Sequence, residues 1–436
     1  MKFTDYNASV TPSVAQQHDA LRKGLGRTAR WAMTGKLDET CLLEGCLHDL
    51  RFDRQIEFPR GEWLWSMIQA TNAVDKFREP LREAFEQLSD ENDAVQLCDL
   101  AVYFSKQGDE WFRRRLYEIV KQRTFKDCPW LGEEQIIALD GESGLVFAAE
   151  IRGEQLASRD WDWDDRSLVG EAMERLGENH ATQALESSSN IHVQRFWKEW
   201  QRSSAALTDS VKGSHEMRMR AITVQEIINA AEDETIRYGM YRGWGMYASE
   251  QDLDIVACRL VEAVNPKTMA SYLTVFSNRA VTRLAAQFIG FCDHPDETVR
   301  ARAYRALSVN RHPLIRQLAL AKIREGLCDG SVASLFIKNY EPGDEHDILE
   351  RLDVPEDECE RHWLLMDVIK ILENNPEADC MPLAVTAYAL TPCGGCRYNA
   401  AKHLLGRSVA PTWLAQECRY DSEKDCRSLF ETVTHS

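Results

Sequence analysis

The chain has 436 residues, 44% of them hydrophobic, and its 70 acidic against 52 basic side chains leave a formal net charge of −18. That balance favours solubility and opposes generic adhesion to nucleic acid or anionic membranes, so a non-specific DNA binder is disfavoured. No basic cluster with an apolar run behind it opens the sequence, and no stretch approaches the ~18 apolar residues of a membrane span, so a soluble cytoplasmic protein is expected. The 13 cysteines, an odd number scattered through helical segments, suit reduced thiols filling a core better than a disulfide framework.

Helical spacing of apolar residues predicts a first helix from Ser13 to Gly35 and a second from Asp38 to Leu50. After Arg51–Arg60 comes a third, Gly61 to Ala73, with Trp63, Leu64, Met67 and Ile68 as its apolar residues. The Arg-Phe-Asp of 51–53 has an echo in the Arg-Tyr-Asp of 419–421, each followed four residues on by an acid and then by an arginine. In both, the aspartate is expected to cap the second helix of a hairpin.

The helical pattern continues through Phe77–Leu88, Ala94–Lys106 and Glu110–Lys121 and is interrupted at Cys128-Pro129-Trp130. Between Glu133 and Leu156, Asp140-Gly141 suits either a β-hairpin turn or a turn between two helices; the spacing of Leu145, Ala148 and Ala149 favours helices. The run 158–166 has charge and no helical stripe, so it reads as a loop. Its Trp161, Asp162 and Trp163 are binding candidates, as aromatic anchors beside acids suited to a cationic partner, unless both rings fold back as a lid. The polar run Ser203–Ser214 is the best linker, dividing an N-terminal helical array over 1–200 from a C-terminal one over 215–436.

In the second half, Tyr241-Arg242-Gly243-Trp244-Gly245 offers glycines for close helix packing rather than a phosphate cradle, having neither the lysine nor the strand that a cradle uses. From Ala248 to Gly326, helices of about a dozen residues alternate with turns. Val281, Leu284, Ala285 and Phe288 make one apolar stripe; Val299, Ala303, Ala306 and Leu307 make the next. Further helical segments fall at Val332–Tyr340, Asp344–Leu352, Cys359–Asn374 and Met381–Ala389. The third of these is apolar nearly all round and is expected to sit deep.

Short one-sided helices cannot bury their apolar faces alone and must stack. The run from Asp293 to Leu307, Asp-His-Pro-Asp-Glu-Thr-Val-Arg-Ala-Arg-Ala-Tyr-Arg-Ala-Leu, resembles the turn and second helix of HEAT-type repeats. The resemblance covers roughly a fifth of the chain. It implies an all-α fold, an α-solenoid of stacked antiparallel helical hairpins in one array or two abutting ones, and a non-catalytic scaffold or adaptor that holds a protein or peptide. Two HEAT-like families are enzymes, the alkylpurine DNA glycosylases and the bilin lyases, and they supply the enzymatic alternative.

No nucleophile elbow, Walker phosphate loop or dinucleotide fingerprint occurs, so catalytic residues and an organic cofactor are not expected. Arg300, Arg302, Arg305 and Arg316 are the second set of binding candidates: a basic ridge for phosphate or a carboxylate-rich partner, or else cations consumed by salt bridges between repeats. For metal, Cys393-Gly-Gly-Cys396 with His403 seven residues on is the sharpest candidate, and a zinc-stabilised C-terminal interaction domain follows from it. The competing reading is a helix-capping turn with free thiols. Cys41, Cys46 and His48 form a weaker cluster.

Overall fold

The computed structural model of the chain describes residues 11–123, 125–126, 128–158, 167–210, 215–233, 238–325, 332–376, 379 and 381–433. Every regular element among them is helical, with no strand among the described residues, so the fold is all-α. None of the described helices is long and apolar enough to cross a membrane. The helix starts are written in the sequence. Ser13 with Gln16 and Thr223 with Glu226 make capping boxes, and Asp38, Asp90, Asp109 and Asp296 each accept from amides of the first turn.

The chain forms two compact units, Met1–Lys212 with Arg419–Lys424 and Gly213–Cys418 with Asp425–Ser436. In the first, the helix Glu91–Lys106 packs on Glu39–Leu47, Gly61–Ala70, Glu110–Gln122 and Glu133–Asp140. Leu64, Ile68, Leu97, Phe104 and Phe112 are among the fully buried residues of this core. Further along, the helix Glu142–Ser158 packs on Glu133–Asp140 and Ile191–Ser210. Close approach here depends on Gly153, where a Cβ would stand 1.9 Å from the His192 carbonyl oxygen.

Two expectations for this unit change. The helix read over 13–35 is two, Val14–Lys23 and Gly26–Met33, because Gly24 takes φ 71° and its amide closes onto Ala20 and Leu21. The paired Arg-aromatic-Asp runs are also not equivalent. Asp53 accepts from Gln55 N inside an irregular loop, and the next helix starts at Arg60 with no side-chain cap, so Asp53 is too far upstream to serve it. Asp421 accepts from Glu423 N, directly ahead of the helix Lys424–Val433. The Arg419–Lys424 segment is tied into the first unit, with Trp63 Nε1 donating to Tyr420 O at 2.8 Å and Ser422 N to Gly24 O at 2.9 Å. The ambiguous run after Cys128-Pro129-Trp130 is helical, as Glu133–Asp140 and Glu142–Ser158 on either side of Gly141.

In the second unit the helix Tyr238–Tyr247 packs on Pro266–Val275, which packs on Glu297–Ser308. Tight packing is the role of Gly245, whose missing Cβ would meet the Val275 carbonyl oxygen at 1.9 Å. The helix expected over the Val281–Phe288 stripe is a 3-10 turn, Thr282–Leu284, then the short helix Ala285–Ile289 and a second 3-10 turn, Gly290–Asp293. β-branched Val281 and Thr282 at its start and Gly290 at its end weaken a longer helix, yet Val281, Ala285 and Phe288 are still buried. The helix Glu358–Asn374 buries Leu364, Leu365, Val368, Ile369, Ile371 and Leu372, whereas Trp363 is 54% exposed.

Candidate functional site

Three side chains that bind soft metals converge in the second unit. Cys393 is the N-cap of the helix Gly394–Gly406, and Cys396 sits in its first turn. The Cys393 amide donates to Thr391 Oγ1 at 3.3 Å, which fixes the turn that leads in. His362 comes from the first turn and a half of the helix Glu358–Asn374, started by its Asp357 cap. That helix packs on both Met381–Leu390 and Gly394–Gly406, so tertiary packing brings the imidazole to the two sulfurs. The ligand atoms of His362, Cys393 and Cys396 all lie within 4.8 Å of one another.

Both cysteines are buried, at 1% and 7% exposure, while His362 is half-buried. The Cys396 thiol donates to the Cys393 sulfur, and His362 and the Cys396 amide add to it, so Cys393 is held well below the ordinary thiol range. Cys396 is pushed up by that same bond and by burial. The shift favours thiolate on Cys393, the form that coordinates metal. Two sulfurs and an imidazole nitrogen are a donor set that suits zinc, and three such ligands leave a fourth coordination position for water or another group.

His403 is not one of the three. Seven residues of helix carry it roughly 10 Å along the axis from Cys396, out of ligand reach. It is half-buried, with its imidazole shifted down by burial. The weaker trio does not assemble: Cys41 and Cys46 are buried thiols pushed up by burial, and His48 Nδ1 pairs with Asp93 at 2.9 Å. Cys393 and Cys396 are not joined by a disulfide.

The four arginines of the expected ridge are engaged within their own unit. Arg305 NH1 meets the fully buried Asp367, and Arg316 meets Asp344 at 2.6 Å and Asn339 O at 2.7 Å. Arg300 NH1 donates to the His294 and Pro295 carbonyls at 3.0 Å, and Arg302 lies over the Tyr238 ring at 4.1 Å. Trp161, Asp162 and Trp163 lie outside the described residues.

A second feature, in the first unit, has no local signature in the sequence. A pocket of about 200 Å³ is lined by Glu62, Asp99, Tyr103, Lys106, Glu134 and Arg175, with Gln135 beside them. A further pocket of about 200 Å³ shares Glu134 and Gln135 with it and is lined by Val95, Trp130, Leu131, Ile137 and Leu168. Burial pushes the Asp99 carboxyl up to about 6, against a hydrogen bond from Gln135 and the field of Arg51.

Comparison with known protein families, with curated proteins and with solved structures finds no match.

Proposed function

We propose that this chain is a non-catalytic helical-repeat scaffold that holds a protein or peptide, and that its C-terminal unit is stabilised by a zinc ion on His362, Cys393 and Cys396. The observation that carries the metal is the convergence of those three ligand atoms within 4.8 Å at a largely buried position. Burial of both sulfurs favours a metal over a redox dithiol, which needs a substrate disulfide to reach the attacking sulfur.

What supports the scaffold is packing between helices close in sequence, as from Tyr238–Tyr247 through Pro266–Val275 to Glu297–Ser308. Such local packing is what a solenoid of HEAT-like hairpins would require. The cations Arg279 and Arg283, paired with Glu250, and Lys322, paired with Asp293, link segments that lie one helix apart along the chain. Each ligand has a defined part. Cys393 supplies thiolate, Cys396 closes the chelate from one turn on, and His362 links the helix Glu358–Asn374 to them.

Native mass spectrometry with elemental analysis of protein purified without chelator tests the metal. About one zinc per chain is expected, lost in the Cys393→Ser/Cys396→Ser double variant and reduced in His362→Ala. A metal-free chain with a Cys393–Cys396 disulfide would replace this reading with a redox one. For the scaffold, alanine at Trp161 and Trp163 is expected to weaken partner capture without lowering the unfolding temperature.

A further inference from the structure

The two pockets of the first unit have contrasting linings that meet at one residue pair. Glu134 and Gln135, in the first turn of the helix Glu133–Asp140, line both. One chamber is mostly apolar, with Trp130 and Leu168 among its lining, and the other has Asp99 and Glu62 in its wall with the Tyr103 ring between helices. Tyr103 stacks on Trp65 with centroids 5.8 Å apart, so the aromatic wall is held in place.

Asp99 is the unusual member. Gln135 Nε2 donates to its Oδ1 at 2.6 Å, and its other oxygen has no hydrogen-bond donor among the described residues. The nearby cations are committed elsewhere. Arg51 forks onto Asp49, with Nε at 2.9 Å and NH2 at 2.7 Å, and gives NH1 to Glu57 O. Arg175 forms a close ion pair with Glu171. Lys106, on the rim, lies over Tyr103 at 5.9 Å. Asp99 is half-buried, and a partly desolvated carboxylate without its own cation is one that a ligand cation relieves.

From this geometry we infer that the paired pockets bind an ammonium or guanidinium group carried on an apolar body, with the charge against Asp99 and Glu134 and the apolar part against Trp130 and Leu168. Two sources carry that chemistry, a small arylalkylamine and a lysine or arginine side chain beside an apolar residue in a peptide. The inference stands apart from the metal reading, since the zinc ligands belong to the other unit.

The test is calorimetric titration of the full-length protein at pH 7.5 with three probes: 4-phenylbutylamine, its neutral counterpart 4-phenylbutanol, and the capped tripeptide acetyl-Leu-Lys-Leu-amide. At least one cationic probe is expected to bind with one-to-one stoichiometry, and the alcohol at least tenfold more weakly. Tighter binding of the peptide identifies a side chain as the occupant; tighter binding of the amine identifies a small molecule. Asp99→Asn keeps the acceptor for Gln135 and is expected to weaken the cation about tenfold, the factor of one lost charge-assisted hydrogen bond. Glu134→Gln, at an exposed position that tolerates change, is expected to weaken it less. Binding of neither cation, equal binding of the alcohol, or unchanged affinity in both variants would overturn the inference.

Discussion

Arg152 Nε lies 3.0 Å from each carboxylate oxygen of Glu133, and the arginine has no exposed surface while the glutamate has 3%. The pair joins the helices Glu142–Ser158 and Glu133–Asp140, next to the shared wall of the two pockets. Attraction inside a low-dielectric core offsets the cost of removing both charges from water, but only while both are present. Glu133→Ala is therefore expected to lower stability by about 3–5 kcal/mol in urea unfolding. Replacing both residues by apolar ones of similar volume should recover most of that loss; a double variant as unstable as the single would show that the pair is not what Glu133 serves.

Close helix contact at Gly153 and Gly245 makes a second, sharper prediction. A Cβ at either position would stand 1.9 Å from a carbonyl oxygen of the neighbouring backbone, His192 and Val275 respectively, and backbone cannot step aside as a flexible side chain can. Alanine at each is expected to destabilise by about 1–3 kcal/mol through overpacking. Gly170 is the control, a helical glycine with nothing within 4 Å of its Cβ direction. Gly170→Ala should stabilise by about 0.5–1 kcal/mol, because alanine loses less chain entropy in a helix. Equal effects at all three sites in thermal melts would show that propensity, not packing, decides.

The sites were legible in the sequence to different degrees. Helix starts were readable because caps are local: Asp296 accepts from Val299 N, as its place before an apolar stripe implies. The Cys393–Cys396 pair was readable for the same reason, as a knuckle at a helix start. His362 was not, since it reaches the sulfurs only through packing of two helices, and a histidine on a helix has no mark of its own. The acidic pocket was wholly silent. Its lining comes from Glu62, Asp99, Glu134 and Arg175, on four separate helices, each an ordinary charged residue until the helices are stacked. The arginine ridge shows the converse, a charge pattern plain in sequence whose acids, such as Asp367 and Asp344, lie far along the chain.

That last relationship can be measured. Asp367 is fully buried and touches Arg305, yet burial still raises its carboxyl above the ordinary range. Arg305→Ala leaves the acid only the more distant Lys370 Nζ, at 3.9 Å, and is expected to cost about 3 kcal/mol. The same loss of stability should appear with or without any binding partner present. Unaltered stability with weakened partner capture would assign Arg305 to recognition instead.

Zinc on His362, Cys393 and Cys396 would couple metal to folding of the unit that holds them, because a metal that binds only the native state adds its binding free energy to stability. A strong membrane-permeant chelator should lower the unfolding temperature of the wild type, and added zinc should restore it. Cys393→Ser/Cys396→Ser should melt at the chelated temperature and respond to neither. A wild type indifferent to chelator would remove metal as a stabilising element.

Asp99 gives the pH prediction, and its sign follows from the direction of its shift. The folded protein holds this carboxyl at about 6 where the ordinary value is 3.8, chiefly through burial. Between those values the folded state binds more protons than the unfolded one, so this group's contribution to stability falls as pH rises through the window. At neutral pH the charged carboxylate costs the folded state roughly 3 kcal/mol. Asp99→Asn should therefore be more stable than the wild type by about that much at pH 7.5, with the gain vanishing near pH 3.5, where both side chains are neutral. A gain that does not change with pH, or a less stable variant at pH 7.5, would show that the carboxylate is adequately paired in the folded protein. A residue whose replacement strengthens the fold is one kept for another purpose, and the cation pocket supplies it. Saturating 4-phenylbutylamine at pH 7.5 should accordingly raise the unfolding temperature of the wild type and leave that of Asp99→Asn almost unmoved.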